Sequence, residues 1–440
     1  MGIFARIATT MQALLGPVAE QVAQQCRLIR RQRKFTGATL LQTFVLGYLR
    51  KPTASAEDLA LTAQQLGVDV SSQAIDRRFQ PALSDCLHQL WQHAVSQVVM
   101  AKPQALALLR KFTEVLIGDS TVISLADELA ETYPGCGGRS VMGRAALKIQ
   151  VLWDVLCGRL KRAVLEAGRQ SDATSPAVEE TPRKGSLLIY DLGYFALERL
   201  RHWSNAGAYW ISRLGAHVTI YADGVPHQLL DWLTQTTPGL VDVWVEVGEK
   251  ERLPCRLIAL RAPDEVVNRR RQKAYTKAAK KGRVPSPQHL AACAWTLYIT
   301  NVAEPTLSWR EVVVLYRVRW QIELLFKLWK SHNHLATHRS TDPVRQLVEL
   351  YARMIAVIVQ HWLILSAGWE EGGLSLVKVA RWFREHLPLL IDVLHDKPRL
   401  IAALRRLAGL MKRLAKLKRR RQHPNAQQLM DHPDLLEYEN

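Results

Sequence analysis

The chain has 440 residues, 48% of them hydrophobic and 7% aromatic, which is enough apolar material for two to four folded domains. Lys and Arg exceed Asp and Glu by 59 to 40, and the resulting charge of +19 favours a polyanionic partner, nucleic acid ahead of an anionic membrane surface. The six cysteines form no CxxC pair, and the apolar run 354–369 is interrupted by Gln360 and His361. We therefore expect a soluble cytoplasmic protein with reduced thiols and no membrane span.

Residues 1–105 are predicted to be helical and to include a helix-turn-helix in AEDLALTAQQLGVDVSSQAIDRRF (56–79). Gly67 ends the first helix, and Ser71 or Ser72 caps the second. That second helix would carry Arg77 and Arg78 outward to contact DNA. A helical hairpin with solvated arginines is the alternative, because the pattern is often matched by chance.

From 112 to 215 the pattern changes to strands alternating with helices. FTEVLIGDS predicts a strand that ends at Asp119, and ALKIQVLWDVL and LKRAVLEAG predict two more after a Gly-rich hairpin loop at 135–143. A helix-sized gap precedes SLLIYDLGY, a short strand that closes on Asp191, and a helix and the strand AYWISRL follow. Three strands, a helix, a strand, a helix and a strand is the order of a ribonuclease-H-like α/β fold.

Residues 216–300 predict a β-rich insertion, in which Val241, Val243, Val245 and Val247 alternate along one face of a hairpin. Residues 265–283 hold eight Lys or Arg and one Glu, and residues 397–421 hold eleven Lys or Arg and no acid. Both runs are candidates for DNA contact, with solvated helix faces as the alternative. The predicted domains are a helical DNA-binding domain (1–105), a catalytic domain (106–215 and 301–345), the insertion (216–300) and a helical basic C-terminal region (346–440).

The most informative segment is YRVRWQIELLFKLWK, residues 316–330. On a single α-helix turning about 100° per residue, Tyr316, Arg319, Glu323 and Lys330 would share a stripe roughly 60° wide. A carboxylate flanked by two bases and a phenol suits a site that holds both a cation and phosphate oxygens. An amphipathic helix with solvated Arg–Glu pairs is the alternative.

Two further acids favour the functional interpretation. Asp119 and Asp191 follow strands that are neighbours in a ribonuclease-H-like sheet, so both carboxylates are expected at the same edge, with Glu323 on a later helix. Three carboxylates that close together repel each other unless cations bind. Two Mg²⁺ ions roughly 4 Å apart offset this charge and support in-line phosphodiester transfer.

Tyr316, Arg319, Glu323 and Lys330 match the Y-x2-R-x3-E-x6-K signature, and the chain resembles the insertion-sequence-four type of bacterial cut-and-paste DDE transposase. GDST and YDLGY resemble the two aspartate motifs of that family, although Leu192 makes the second less typical. The resemblance implies that Asp119, Asp191 and Glu323 bind the metal ions, Mg²⁺ with Mn²⁺ as a substitute. It also implies that Tyr316, Arg319 and Lys330 hold phosphates of the element's end.

The same resemblance implies that Trp295 stacks on a flipped base, with a buried strand residue as the alternative. It further implies that excision passes through a hairpin intermediate. The protein is expected to bind terminal inverted repeats and target DNA as a homodimer, and to be a bacterial protein associated with the nucleoid. Two other functions remain open. One is a catalytically silent regulator derived from a transposase, which the intact acids disfavour, and the other is a metal-dependent nuclease that cuts without joining.

Overall fold

The computed structural model describes residues 2–29, 31, 33–136, 144–179, 181–235, 239–418, 420 and 424–436. The chain divides into two compact units. The first comprises Met1–Ala105, Asp119–Ser171 and Gln321–Lys418, and the second comprises Leu106–Gly118, Asp172–Trp320 and Arg419–Asn440. Most of the Gly-rich loop predicted at 135–143 lies outside the described residues.

The described residues form seventeen α-helices and ten strands. The helices are α1 (Ile3–Ala13), α2 (Ala19–Gln25), α3 (Gly37–Arg50), α4 (Ala56–Gln65), α5 (Ser72–Asp76), α6 (Pro81–Ser96), α7 (Leu197–Asn205), α8 (Leu229–Gln235), α9 (Asp264–Ala279), α10 (Pro287–Ala292), α11 (Trp309–Val318), α12 (Trp320–Lys327), α13 (Pro343–Ser366), α14 (Leu376–Glu385), α15 (Leu387–Asp392), α16 (Lys397–Leu414) and α17 (Ala426–Asp431). The strands are β1 (Val115–Ser124), β2 (Ala146–Asp154), β3 (Arg159–Ala167), β4 (Leu187–Tyr190), β5 (Tyr209–Arg213), β6 (Thr219–Ala222), β7 (Val225–Gln228), β8 (Leu240–Val247), β9 (Leu253–Arg261) and β10 (Trp295–Thr300).

The first unit is built around α13, which packs against α3 and α6. By length and composition α13 could cross a membrane, but 94% of its most apolar window is buried inside the protein. Its interior also contains a buried ion pair between Arg353 and Glu349, 2.8 Å apart and one helical turn from each other. Most of the apolar run 354–369 therefore lies in a buried helix at the core of this unit.

The predicted helix-turn-helix corresponds to α4 and α5. Ser55 and Asp58 form a capping box at the start of α4, and Ser71 caps α5. Gly67 has a φ of +81°, the left-handed conformation in which a glycine ends a helix. However, α5 ends at Asp76, and Arg77 and Arg78 follow it. The prediction that the second helix carries these two arginines on its surface is therefore wrong.

These two arginines therefore differ in their surroundings. Arg77 is exposed, whereas Arg78 is half-buried with its guanidinium 5.7 Å from the ring centre of Phe35. The second helix is short because only Ile75 among its five residues is buried, which leaves little packing to extend it. Of the two, only Arg77 is fully presented to solvent.

Within the first unit, β2 is buried along its whole length and pairs antiparallel with β3. The predicted turn between them is confirmed, with Gly158 at a φ of +72°. The prediction of an α-helix between β3 and β4 is wrong. The described residues of 168–186 contain only a 3-10 turn, at Asp172–Thr174. Pro176 and Pro182 leave too short an interval for a helix.

The strand order in the first unit is β3-β2-β1, and in the second unit it is β1-β4-β5-β10-β9-β8-β6-β7. Strand β1 appears in both because its residues up to Gly118 belong to the second unit and those from Asp119 to the first. Strand β4 pairs in parallel with β1 and with β5, while β10 runs antiparallel to β5. An antiparallel hairpin followed by parallel strands is the ribonuclease-H-like arrangement. The predicted mixed α/β fold with a β-rich insertion and helical ends is confirmed.

The predicted hairpin of the insertion is formed by β8 and β9, which pair antiparallel over eight residues. Val241, Val245 and Val247 are buried as expected, but Val243 is 38% exposed. The hairpin is anchored by Arg256, whose Nη2 lies 2.6 Å from Asp242 and whose Nη1 donates to the Leu307 carbonyl at 2.6 Å. The insertion also contains the helices α8, α9 and α10.

A buried histidine in α13 makes the stability of the first unit depend on pH. Nε2 of His361 lies 2.6 Å from the carbonyl oxygen of Gly158, so the neutral ring donates there. Burial lowers the pKa of His361 from 6.5 to about 4. Because the folded pKa is depressed, stability is complete above pH 6.5 and is lost as the pH falls from there towards 4, where only the unfolded chain takes up the proton.

We predict that the free energy of unfolding of the wild type falls by about 2 kcal/mol more than that of His361→Gln between pH 7 and about pH 5. Glutamine keeps a donor for the Gly158 carbonyl but cannot titrate. Urea unfolding at the two pH values measures the difference. The exposed His395→Gln serves as the control and should follow the wild type, and parallel profiles for wild type and His361→Gln would contradict the prediction.

Candidate active site

The position of Asp191 is fixed by the strand before it. All four residues of β4 are buried between β1 and β5, and Tyr190 is the register partner of Gly118. Asp191 then leaves the strand with an extended backbone, and its side chain caps no helix. The prediction that Asp191 directly follows the strand is confirmed, and its half-buried carboxylate is not used to hold the local backbone.

Asp119 does not end its strand as the sequence had predicted. Strand β1 continues to Ser124, because the residues after Asp119 include Val122 and Ile123, which favour a strand. Asp119 is half-buried, and its Oδ1 accepts a hydrogen bond from the backbone N–H of Ser120 at 2.8 Å. The residues before the two aspartates, Gly118 and Tyr190, are paired in the sheet.

The hydroxyl of Tyr316 lies 3.4 Å from Oδ1 of Asp191. Tyr316 is 8% exposed, its ring meets that of Tyr298 edge-on at 5.2 Å, and Arg319 lies 5.9 Å from its ring centre. Burial raises the pKa of Tyr316, and the negative charge of Asp191 raises it further against the opposing effect of Arg319. The phenol therefore stays protonated and is a hydrogen-bond donor at neutral pH. The second unit thus brings together three of the predicted site residues.

Helix α11, which carries Tyr316, has a firmly held start. Ser308 and Glu311 form a capping box, and Glu311 also pairs with Lys111 at 2.7 Å. Lys111 and the capping box lower the pKa of Glu311 even though burial opposes them. Since α11 is ten residues long, fixing its first turn also fixes the position of Tyr316 near its end.

The segment 316–330 is not one continuous α-helix. The prediction that its four motif residues share one stripe of a single helix is therefore wrong. Helix α11 ends at Val318, Arg319 lies between α11 and α12, and Leu328–His332 is a π-helical turn. A π turn holds more residues than an α turn, which rotates Lys330 away from its predicted direction. Glu323 is half-buried in the first turn of α12, and Nζ of Lys330 donates to the Val122 carbonyl at 3.2 Å, near the end of β1.

A cavity of about 690 Å³ in the second unit adjoins Tyr316 and Arg319. Its lining combines aliphatic side chains, among them Leu260, Leu429 and Leu436, with arginine side chains and aromatic rings. The arginine and aromatic residues include Arg213, Arg270, Arg317, Tyr298, Trp309 and Trp320. Arg213 lies 5.1 Å from the ring centre of Tyr298, and Trp320 is 55% exposed. Guanidinium groups and ring faces together suit phosphate and base recognition.

Most residues that line this cavity give no distinct signal in the sequence. Trp320 had a signal, since it directly follows Arg319 in the motif and is a large aromatic in a helix. Arg213 ends β5, and Arg270 is one of eight bases in a charged run, so neither position stands out without the sheet order. Their shared location depends on non-neighbouring segments of the chain.

Trp295 is the first residue of β10 and is only 9% exposed. It pairs with Arg261 of β9, and its carbonyl accepts a hydrogen bond from Arg270 at 3.3 Å. As placed, the indole is part of the sheet interior. A stacking role would require the ring to become exposed when DNA binds.

The three predicted metal ligands suit a divalent ion in their chemistry, because Asp119, Asp191 and Glu323 offer hard carboxylate oxygens and none is fully buried. Among the residues that the structure describes, no group of three or more His, Cys, Asp and Glu side chains is assembled to hold a metal ion. The donor set therefore fits, while the side chains as placed form no ready cage.

The strand order β3-β2-β1-β4-β5 is that of a ribonuclease-H-like α/β fold, and Asp191 directly follows one of its parallel strands. The family model described as the transposase DDE domain matches residues 110–359, more than half of the chain. The chain belongs to the DDE transposase family, an enzyme class that cleaves DNA and transfers strands with the help of divalent metal ions. The prediction of this enzyme class is confirmed.

Relatives from insertion sequences support this membership along most of the chain. The transposase of insertion sequence element IS231B from Bacillus thuringiensis subsp. berliner is 27% identical over 410 residues, which cover 85% of this chain and 84% of that protein. The transposase of IS1151 from Clostridium perfringens is 23% identical over 371 residues, covering 79% and 78%. A cryo-EM structure of the piggyBac transposase synaptic complex with hairpin DNA matches with a TM-score of 0.46 and 10% identity, covering 92% of this chain and 85% of that one.

We predict that Gly118→Ala destabilises the protein by roughly 1–3 kcal/mol. A β-carbon at Gly118 would lie 1.9 Å from Cε1 of Tyr190, a ring that is packed on both sides and has little room to move. Thermal unfolding measures the loss. Gly215→Ala, where a β-carbon would meet nothing within 4 Å, is the control and should change stability far less. Equal effects of the two substitutions would contradict the close approach.

Proposed function

We propose that this chain cuts the terminal inverted repeats of an insertion sequence and joins the freed 3′ ends to target DNA, with Asp119, Asp191 and Glu323 holding two Mg²⁺ ions. The observation that carries the proposal is the carboxylate of Asp191 directly after a buried strand, 3.4 Å from the Tyr316 hydroxyl, with Arg319 beside that ring. The proposed metal-binding carboxylate of Asp191 and the proposed phosphate-binding side chains of Tyr316 and Arg319 are therefore neighbours.

The chain's own groups divide the work. Paired divalent ions, when bound, supply charge that offsets the three carboxylates and the phosphate. The protonated Tyr316 donates a hydrogen bond to a phosphate oxygen, and Arg319 binds a second oxygen through its planar guanidinium. Lys330, which in the free protein donates to the Val122 carbonyl, exchanges that partner for a phosphate. These roles follow the Y-x2-R-x3-E-x6-K resemblance to insertion-sequence-four transposases.

We further propose that the active form is a homodimer holding two element ends, and that excision passes through a hairpin, as the resemblance to insertion-sequence-four transposases implies. A hairpin requires the terminal bases to unstack, and an aromatic surface offsets part of that cost. Trp295 is the candidate for this surface by the same resemblance, and the residue after it, Thr296, lines the cavity beside Tyr316.

We predict that Asp119→Asn, Asp191→Asn and Glu323→Gln each abolish DNA cleavage and leave binding of the element's end largely intact. Each amide keeps the shape of the side chain but removes a charge that a divalent ion needs. The assay is Mg²⁺-dependent cleavage and joining of a labelled end by purified protein, read on denaturing gels. Asp223→Asn, at an exposed turn, is the control and should keep wild-type activity.

The same gels separate the other functions. Joined products identify a transposase, cleavage without joining identifies a nuclease, and binding without cleavage by the wild type identifies a silent regulator. Near-normal cleavage by any one of the three acid variants would remove that residue from the metal-binding set.

We predict that Trp295→Ala accumulates nicked DNA and forms hairpin roughly tenfold more slowly, since stacking is worth about 1–3 kcal/mol per base. First-strand nicking needs no unstacking and should survive. Trp295→Phe retains a ring and should restore much of the hairpin step. If nicking and hairpin formation instead fall together with thermal stability, Trp295 acts only as a buried strand residue.

A further inference from the structure

We propose that one face of α9 holds the phosphate backbone of double-stranded DNA. This inference rests on the proposed function, that the chain binds DNA, and adds a surface to it. The face consists of Arg269, Lys273 and Lys277 of α9 together with Lys280, the first residue after the helix, and is here named the α9 stripe. At about 100° per residue these four side chains fall within roughly 80° of one another around the helix. With Gln272 and Thr276 they line a groove of about 460 Å³.

The other basic side chains of α9 serve to dock the helix. Arg270 donates to the carbonyls of Cys293 and Trp295 at 3.2 and 3.3 Å and to the Thr296 hydroxyl at 3.0 Å. Arg271 donates to the Leu290 carbonyl at 3.3 Å. The first turn is held by a small apolar cluster that includes Val266 and Val267. The cations of this helix are thus sorted into a docking side and a solvent side.

The stripe is not neutralised within the part of the chain that the structure describes. Its four cations are exposed, and no salt bridge there involves any of them. The second basic run behaves differently, because acids offset several cations of α16 and its flanks. Arg399 pairs with Asp396 at 3.4 Å, and Lys412 and Lys416 pair with Glu371 at 3.1 and 3.6 Å.

The stripe is unfavourable for the free helix. Arg269–Lys273 and Lys273–Lys277 are like-charge pairs four residues apart, a spacing at which they repel and destabilise a helix. Since only two of the sixteen residues of α9 are buried, packing gains little from this arrangement. Binding a polyanion would relieve the repulsion, and duplex DNA presents one negative charge per roughly 1.7 Å of its axis.

The composition of the groove favours a duplex backbone over a single strand. Sites for single-stranded nucleic acid combine positive charge with aromatic rings on which bases stack. The described lining of this groove has Arg, Lys, Gln and Thr and no aromatic ring. Arg270 also borders the cavity that Tyr316 and Arg319 line, so α9 adjoins the proposed DNA site within the same unit. DNA held at that site would continue along the stripe.

The test compares Arg269→Gln/Lys273→Gln/Lys277→Gln/Lys280→Gln with a control that removes four cations from α16 and the residues after it, Arg405→Gln/Arg406→Gln/Arg413→Gln/Lys416→Gln. Fluorescence anisotropy measures binding of a mixed-sequence duplex of about 40 base pairs as a function of KCl concentration. Since each phosphate contact contributes about 0.9 to the slope of log K against log salt, the stripe variant should lose about three to four units of slope. The control should lose less than one.

The outcomes separate this inference from the proposed function. If the wild type binds no duplex at any salt concentration, the proposed function fails with it. If the wild type binds and the stripe variant keeps its slope, only the stripe is refuted. Equal losses in both variants would mean that net charge alone matters, which also refutes the stripe. The stripe is also refuted if its variant loses binding only to a single-stranded oligonucleotide, an RNA or vesicles of phosphatidylserine, and not to the duplex.

Circular dichroism checks that α9 persists in the variant. If the quadruple variant has less helix than the wild type, the single variants Lys273→Gln and Lys277→Gln are used in its place. Each is expected to lower the slope of log K against log salt by about 0.9. Arg269→Lys conserves the charge and should keep the wild-type slope. A loss for Arg269→Lys as large as that for the single neutralised variants would contradict a purely electrostatic contact.

Discussion

The close approach of Tyr190 to Gly118 is the constraint on which the candidate site depends. A β-carbon at Gly118 would occupy the space of the Tyr190 ring, so any other residue type there requires that ring to move. That ring is held in turn by stacking on Trp203 at 5.4 Å, and its hydroxyl accepts the backbone N–H of Glu179 at 3.2 Å. The indole N–H of Trp203 donates to the Glu179 carbonyl at 2.7 Å, which closes the cluster. Strand β4 therefore has one register, and Asp191 one point of exit.

A fixed exit for Asp191 has electrostatic consequences. Its carboxylate faces a phenol that burial keeps protonated, so the pair is a donor and an acceptor with no repulsion between them. The contact is long at 3.4 Å, and little free energy is lost when either partner turns to a ligand. The Asp191–Tyr316 pair is therefore positioned mainly by the packing behind it and less by the hydrogen bond between its members.

The parts that sequence predicted correctly are those in which local pattern and tertiary packing agree. The short apolar run of β4, the alternating valines of β8 and the capping residues of α4 each indicate one structure, and that structure is present. The acid after β4 was located because a continuous apolar run has a definite end. Asp119 was misplaced within β1 for the opposite reason, since Val122 and Ile123 continue the strand after a polar interruption.

Other features could not be read from local pattern. The π-helical turn at Leu328–His332 preserves helical residue types while changing the direction of Lys330, and no single-helix projection detects it. The cavity beside Tyr316 joins β5, β10, α9 and α11, whose proximity depends on a strand order in which β10 pairs with both β5 and β9. Residues such as Arg213 acquire their neighbours only through that pairing.

The distribution of charge completes this picture, because a net charge of +19 does not say where the positive surface lies. The two basic runs look alike as sequences, yet Glu370 and Glu371 lie against Lys412 beside α16, whereas the solvent side of α9 has no described acid partner. Salt bridges at a surface contribute little to stability, but they lower the local potential that a polyanion experiences. The effective positive surface is therefore smaller than the composition implies, and the α9 stripe is a part of it that no described acid offsets.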